Sequence, residues 1–165
     1  MEIERKYLIQ SLPPDIESFP KRHIEQAYLN INPVVRVRKD GQTYYLTYKG
    51  PGMMAREETN FVLDEASYLH LRAKADGHII SKYRYDIPLL DAKVKEGYPL
   101  PPKDYHLMIE LDVFLPPYAP LLMAEVEFGS IEAAEAFCPP DWFGRDVTYE
   151  REYHNSYLAL HPQKS

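Results

Sequence analysis

Charged side chains recur at alternate positions in this chain, run after run, and that spacing limits the possible folds more than any other feature. Glu2, Glu4 and Lys6 open the pattern; Arg36 and Arg38, Lys49, Arg56 with Glu58 and Asn60, Lys82 and Arg84, Glu110 and Asp112, and Glu125 and Glu127 repeat it. Successive side chains of a strand point to opposite faces, so each set shares one face of an extended segment. The intervening residues, among them Ile3, Val35, Val37, Leu46, Tyr48, Phe61, Tyr83, Ile109, Leu111, Val113, Val126 and Phe128, make the other face apolar. A helix would scatter both sets around its circumference, so the period dictates an amphipathic β-sheet.

Turn chemistry divides the sheet into strands. Asp40-Gly41 between 34–39 and 43–49 is a hairpin signal, and Gly50-Pro51-Gly52 turns the chain again toward a strand over 56–63. With 2–9, 24–31, 78–89, 107–115 and 121–128, eight antiparallel strands are expected. Three helices join them: 65–76, capped by Asp64 and ended by Gly77; a short one from Ser130 to Phe137; and 150–160, whose Tyr153, Tyr157, Leu158 and Leu160 form a stripe to lay against the sheet. The 91–105 segment reads as a surface loop, whose Lys93, Lys95 and Lys103 are either solvated or part of a lid. No linker or low-complexity run interrupts the 165 residues, so one domain is expected over 1–165.

Composition removes several function classes. A formal net charge of −6 opposes nucleic-acid and anionic-membrane binding, and the apolar runs are too short to span a bilayer. A single cysteine, Cys138, cannot form an internal disulfide, and a charged N-terminus without an apolar core is not a secretory signal, so a cytoplasmic location is expected. The six histidines lack zinc-like spacing, and there is no GxGxxG, P-loop or GxSxG.

The charged face therefore carries the functional question, and two readings stand. It is the wet side of a half-buried sheet, or it is the lining of a closed barrel. The signs are segregated by strand: Glu2, Glu4, Glu110, Asp112, Glu125 and Glu127 come from the first and last two strands, whereas Arg36, Arg38, Lys49, Arg56, Lys82 and Arg84 come from the middle. Closure would set an acidic wall opposite a basic one, and charges so enclosed need partners such as a metal and a polyanion. A membrane barrel shares the alternation, but the helices are needed to cover the apolar exterior and no export signal precedes the first strand.

Taken in order, Glu2-x-Glu4-x-Lys6, Gln26-Ala27-Tyr28-Leu29, Arg36-x-Arg38, Thr47-x-Lys49, Lys82-x-Arg84, Glu110-x-Asp112, Glu125-x-Glu127 and Trp142-Phe143-Gly144 resemble the CYTH superfamily, the triphosphate tunnel metalloenzymes, and within it the small bacterial inorganic triphosphatase-like members. The resemblance implies a mainly β (α+β) fold, a closed eight-stranded antiparallel barrel with a few helices packed outside. It implies hydrolysis of a triphosphate with Mg²⁺ or Mn²⁺, inorganic triphosphate foremost, by a monomer or homodimer. A nucleoside or thiamine triphosphatase, a class IV-type adenylate cyclase and a non-catalytic polyphosphate sensor are the alternatives. By position Glu2, Glu4, Glu110, Asp112, Glu125 and Glu127 would hold metal, and Lys6, Arg36, Arg38, Lys49, Arg56, Lys82 and Arg84 the phosphates, with Glu2, Glu4 and Lys6 central to catalysis. Metal ligands of this kind imply that neutralising Glu125 or Glu127 leaves the metal-free fold intact. Two positions depart from the family: Asn60 stands where a second carboxylate is usual after Glu58, and His154 where close relatives often carry lysine. His154 would titrate near neutrality if it faced the tunnel, or lie on the surface of the last helix.

Overall fold

The computed structural model describes residues 1–101 and 105–162. Its main sheet contains β1 (Glu2–Leu8), β2 (Lys21–Ile31), β3 (Val34–Asp40), β4 (Thr43–Lys49), β5 (Ala55–Arg56), β6 (Glu58–Leu63), β7 (Asp76–Leu89), β9 (Leu107–Phe114) and β10 (Leu122–Glu127), ordered β5-β1-β10-β9-β7-β2-β3-β4-β6 with every pairing antiparallel. β5 and β6 are two halves of the expected fifth strand, parted at Glu57. The first half pairs with β1, Arg56 opposite Glu2, and the second with β4, Glu58 opposite Lys49. One run thus joins both ends of the sheet, and the eight-stranded barrel closes.

Three apolar clusters hold it. Ile3, Tyr7, Ile109, Leu111, Val126 and Phe128 pack on the outer face under α2 (Ile131–Ala136), and Ala27 and Val37 pack under Tyr68 of α1 (Glu65–Arg72). Asp64 caps α1 and Ser130 caps α2, each accepting a backbone N–H through its side chain. The third cluster lies elsewhere. Tyr28, Val34, Ile80, Phe114 and Met123 sit two residues along their strands from charged or amide residues, on the same inward face, and α3 (Asn155–Leu160) covers them with Leu158 and Ala159. The third helix is therefore not outside the barrel as expected; it plugs one end, because the inner face turns apolar there.

Other boundaries shift for local reasons. The 150–160 helix is broken: Arg151–Tyr153 is a 3₁₀ turn, and His154 is extended (ψ 140°) before α3 begins. α1 stops at Arg72 rather than 76, and Gly77 lies inside β7. There Tyr28 pairs with Asp76 while Gln26 pairs with Ile80, a bulge that a positive φ of 68° at Gly77 makes possible. The 91–105 segment is not wholly irregular: β8 (Lys93–Val94) pairs with β11 (Phe137–Cys138), which fixes Lys93 in a short ladder beside α2, and Lys103 lies outside the described residues. Among the described residues no helix is long and apolar enough to cross a membrane.

Gly77 also bears on the plug, since a Cβ there would stand 2.3 Å from the carbonyl oxygen of Ala159. Gly77→Ala is expected to destabilise the protein by about 2–3 kcal/mol through backbone strain and displacement of α3, read by urea unfolding. A change under about 0.5 kcal/mol would show that the plug tolerates displacement.

Candidate active site

The barrel encloses a cavity of about 220 Å³ whose walls are almost wholly polar. β1, β10 and β9 are neighbours, so the acidic strands do form one continuous wall, with Glu4 opposite Glu127 and Glu125 opposite both Lys6 and Glu110. Much of the wall is already paired. Lys6 Nζ lies 2.9 Å from Glu125 and 3.9 Å from Glu4; Arg84 grips Asp112 through two bonds of 2.7 and 2.8 Å, meets Glu125 at 3.2 Å and also contacts Glu110. Lys82 lies 2.7 Å from Asp112, and across the seam Lys49 reaches Glu2 at 2.8 Å and Glu58 at 3.1 Å, with Arg56 3.8 Å from Glu2.

For several of these groups burial and neighbouring charges pull in opposite directions, and which prevails differs from one to the next. Burial opposes the Lys6 ammonium, but Glu125 and Glu4 outweigh it and hold Lys6 above the usual lysine value. Burial likewise opposes the Glu125 and Asp112 carboxylates, yet the lysines and Arg84 keep both below their ordinary values. Lys82 is brought down to about 8 by burial, despite the pull of Asp112. Glu2 is pushed up to about 8 by burial and by Glu4, and Glu127 is raised by burial and by the carboxylates of Glu4 and Glu58.

Two cations of the lining stand outside any ion pair. Among the described residues Arg36 and Arg38 form no ion pair, and the Nε of each is buried and unbonded. Burial, Arg36 and Arg84 bring Arg38 down to about 10. Native interiors seldom keep such groups unsatisfied, and two guanidiniums aimed into one cavity lack an anion.

The fit to a divalent cation is uneven. Among the described residues no three acidic, histidine or cysteine side chains converge closely enough to hold a metal ion. The carboxylates are drawn apart toward lysines and arginines, and Asp112, 0% exposed, does not line the cavity at all. Glu4 and Glu127 fit best: they face each other across β1 and β10, and only the distant Lys6 contact engages either. Their crowding with Glu2 is the repulsion that a divalent cation relieves.

The lining also contains residues that strand alternation did not single out. Arg22, Gln26 and Tyr28 come from β2, whose inward face mixes Arg22, Ile24, Gln26 and Tyr28 and so hides the pattern; Asn155 and Ser156 come from α3, whose entry into the barrel leaves no periodic signal. Asn60 is exposed and does not line the cavity; it accepts from Thr47 (2.5 Å) and donates to the lining residue Glu58 (2.8 Å), a bond that a carboxylate at this position could not donate. His154 is neither titrating near neutrality nor on the surface. It is 5% exposed, bonded through Nε2 to the Thr148 carbonyl at 2.9 Å, and burial together with Lys6 brings it down to about 4.

Residues 1–97 match the CYTH domain model. The chain belongs to the CYTH family. It is 35% identical to an inorganic triphosphatase of Nitrosomonas europaea over 96% of this chain and 97% of that protein. A second inorganic triphosphatase, from Acetivibrio thermocellus, is 31% identical over 99% of this chain and 96% of its own length. A crystal structure of an inorganic triphosphatase superposes with a TM-score of 0.64 at 32% identity, covering 97% of this chain and 95% of the other. The CYTH assignment agrees with the barrel built above, and the charged face is its lining rather than a solvated sheet.

The pairing pattern separates two variants that the sequence treats alike. Glu125→Gln removes a buried partner of Lys6 and Arg84 and should lower metal-free stability by on the order of 3 kcal/mol, whereas Glu127→Gln relieves carboxylate crowding and should melt at or above the parent. Equal melting of both in EDTA would refute the distinction. His154 gives a pH test: its folded value of about 4 lies below the usual 6.5, so the native state resists a proton that the unfolded chain accepts. Its effect is absent above about pH 6.5 and grows as pH falls toward 4, reaching ~3 kcal/mol of lost stability at ~1.4 kcal/mol per pH unit. Urea unfolding of His154→Gln between pH 7 and 4 should lack that part of the slope, and an unchanged slope would show that folding leaves the proton affinity of His154 unaltered.

Proposed function

We propose that this CYTH protein is a single tunnel domain that hydrolyses inorganic triphosphate to pyrophosphate and phosphate with Mg²⁺ or Mn²⁺. The observation that carries the reading is the pair Arg36 and Arg38, outside every ion pair among the described residues and each with a buried, unbonded Nε, facing an acidic wall whose Glu4 and Glu127 are engaged only by Lys6 at 3.9 Å. A polyanion answers the first need and a divalent cation the second. The names of the two triphosphatases aligned above support the same substrate.

Phosphoryl transfer requires positioning and neutralisation of charge more than covalent help from the protein. Arg36 and Arg38 would bind phosphoryl oxygens, and Lys6, held protonated by Glu125 and Glu4, would donate a hydrogen bond to another. Lys49, Arg56, Lys82 and Arg84, now engaged with carboxylates, would share those bonds with the substrate. Glu4 and Glu127, with Glu2 and Glu125 beside them, would hold the cation. When bound, that cation supplies charge neutralisation on the phosphoryl oxygens and an activated water. The α3 plug covers one end of the tunnel, and contacts made in such a sheltered interior are stronger than the same contacts in open water. An exposed, unpaired Cys138 thiol suits a reducing cytoplasm.

A substrate panel tests the reading. On protein tagged at its C-terminus, kcat/KM for inorganic triphosphate should exceed that for ATP, thiamine triphosphate and pyrophosphate by about tenfold or more, because phosphate contacts dominate the lining. Arg38→Ala should abolish most of that turnover. Faster hydrolysis of ATP, cyclic AMP as the main product, or tight binding without turnover would each point away from an inorganic triphosphatase.

A further inference from the structure

Gln26 is fully buried, 0% exposed, yet it lines the tunnel between Arg38 on β3 and Ile80 on β7. Its Nε2 donates to Tyr28 Oη at 3.2 Å, and its Oε1 has no hydrogen-bond partner. Two more orphans share this wall, the Nε atoms of Arg36 and Arg38, with Arg36 directly opposite Tyr28 across the strands. A trapped water could satisfy the amide, but it would leave the two guanidiniums without counter-charge. An anion in the tunnel answers both guanidiniums directly, and it answers the glutamine once the amide turns its NH₂ group, rather than its oxygen, toward the lumen.

Building on the triphosphate reading above, we propose that Gln26 is a further substrate-binding residue, donating its amide N–H to a phosphoryl oxygen, and that Tyr28 is the positioning residue that aims it. The tyrosine hydroxyl both accepts and donates. With Nε2 toward Tyr28, the hydroxyl accepts; with the amide turned by half a rotation, the hydroxyl donates to Oε1 and the NH₂ group faces the lumen. The turn keeps the one bond that Gln26 has and presents two N–H donors to the substrate. A neutral donor also suits its place. Arg38 already sits low under burial, Arg36 and Arg84, so a further cation beside it would add repulsion, whereas an amide adds a hydrogen bond without charge.

The test compares wild type, Gln26→Leu, Gln26→Glu and Tyr28→Phe, using KM and kcat for inorganic triphosphate with Mg²⁺ and the rise in Tm caused by triphosphate in EDTA. Gln26→Leu should raise KM about tenfold or more and keep kcat within about threefold, while its unliganded Tm stays level or rises because an unsatisfied buried atom is gone. Gln26→Glu, which replaces the donors with a charge able to occupy Arg38, should raise KM further. Tyr28→Phe, retaining the ring but freeing the amide, should raise it about threefold. KM within twofold of wild type for Gln26→Leu, or a lower unliganded Tm with unchanged KM, would overturn the proposal, since a merely structural glutamine behaves that way. If Gln26→Leu does not fold, unchanged KM in Gln26→Glu and Tyr28→Phe overturns it equally. Failure of the parent reading looks different: wild type would then neither hydrolyse triphosphate nor be stabilised by it.

Discussion

A barrel interior cannot hold this many charges unless each finds a partner, and that requirement organises the rest of the molecule. Lys6 with Glu125, Lys82 and Arg84 with Asp112, and Lys49 with Glu2 neutralise most of the lining from within. These pairs are poor evidence for stability in themselves, because two desolvated ions recover little more than their burial loses. What they provide is internal counter-charge for most of the lining. The remainder, a positive excess on β3 and a negative one where β1 meets β10, is left for the substrate and its metal. On the proposed reading, binding would be an exchange of partners, in which lysines and arginines pass from carboxylates to phosphoryl oxygens.

The period of two along the strands made the sheet, its two faces and most of the lining legible from residues alone. Lys6, Arg36, Arg38, Lys49, Arg56, Lys82 and Arg84 all face the cavity, as do Glu2, Glu4, Glu110, Glu125 and Glu127. Sign segregation by strand correctly implied that closure would bring the acidic strands together. Alternation failed where the face itself changes character. On β2 the inward row alternates between polar and apolar side chains, so alternation did not place Gln26 and Tyr28 on the lining, although both stand in a motif that carries the family resemblance. Asp112 kept the right parity but sits behind the cavity wall, a depth that a face assignment does not encode.

The third helix shows a related limit. Its apolar stripe requires a partner surface, but periodicity does not say whether that surface lies outside or inside a barrel. The answer lay in Val34, Ile80, Phe114 and Met123, inward positions that are apolar where their neighbours two residues away are charged or amide-bearing. His154 follows from the same geometry. Because the chain extends at that residue before turning into the barrel, the imidazole is carried into the interior and loses its proton affinity.

The split strand has a mechanical meaning. Closure beside β1 rests on two ladder pairs, Glu2 with Arg56 and Ile3 with Ala55, and a backbone bond from the Glu4 N–H to the Met54 carbonyl at 2.9 Å, a much shorter zip than the seven-residue pairing of β3 with β4. The same Glu2 and Arg56 line the cavity, and Lys49 reaches Glu2 from the far side of the join. Anything held jointly by Lys49, Arg56 and a cation on Glu2 and Glu4 would therefore span the weakest line of the wall and act as a clasp. The molecule that enters the tunnel would complete its hoop.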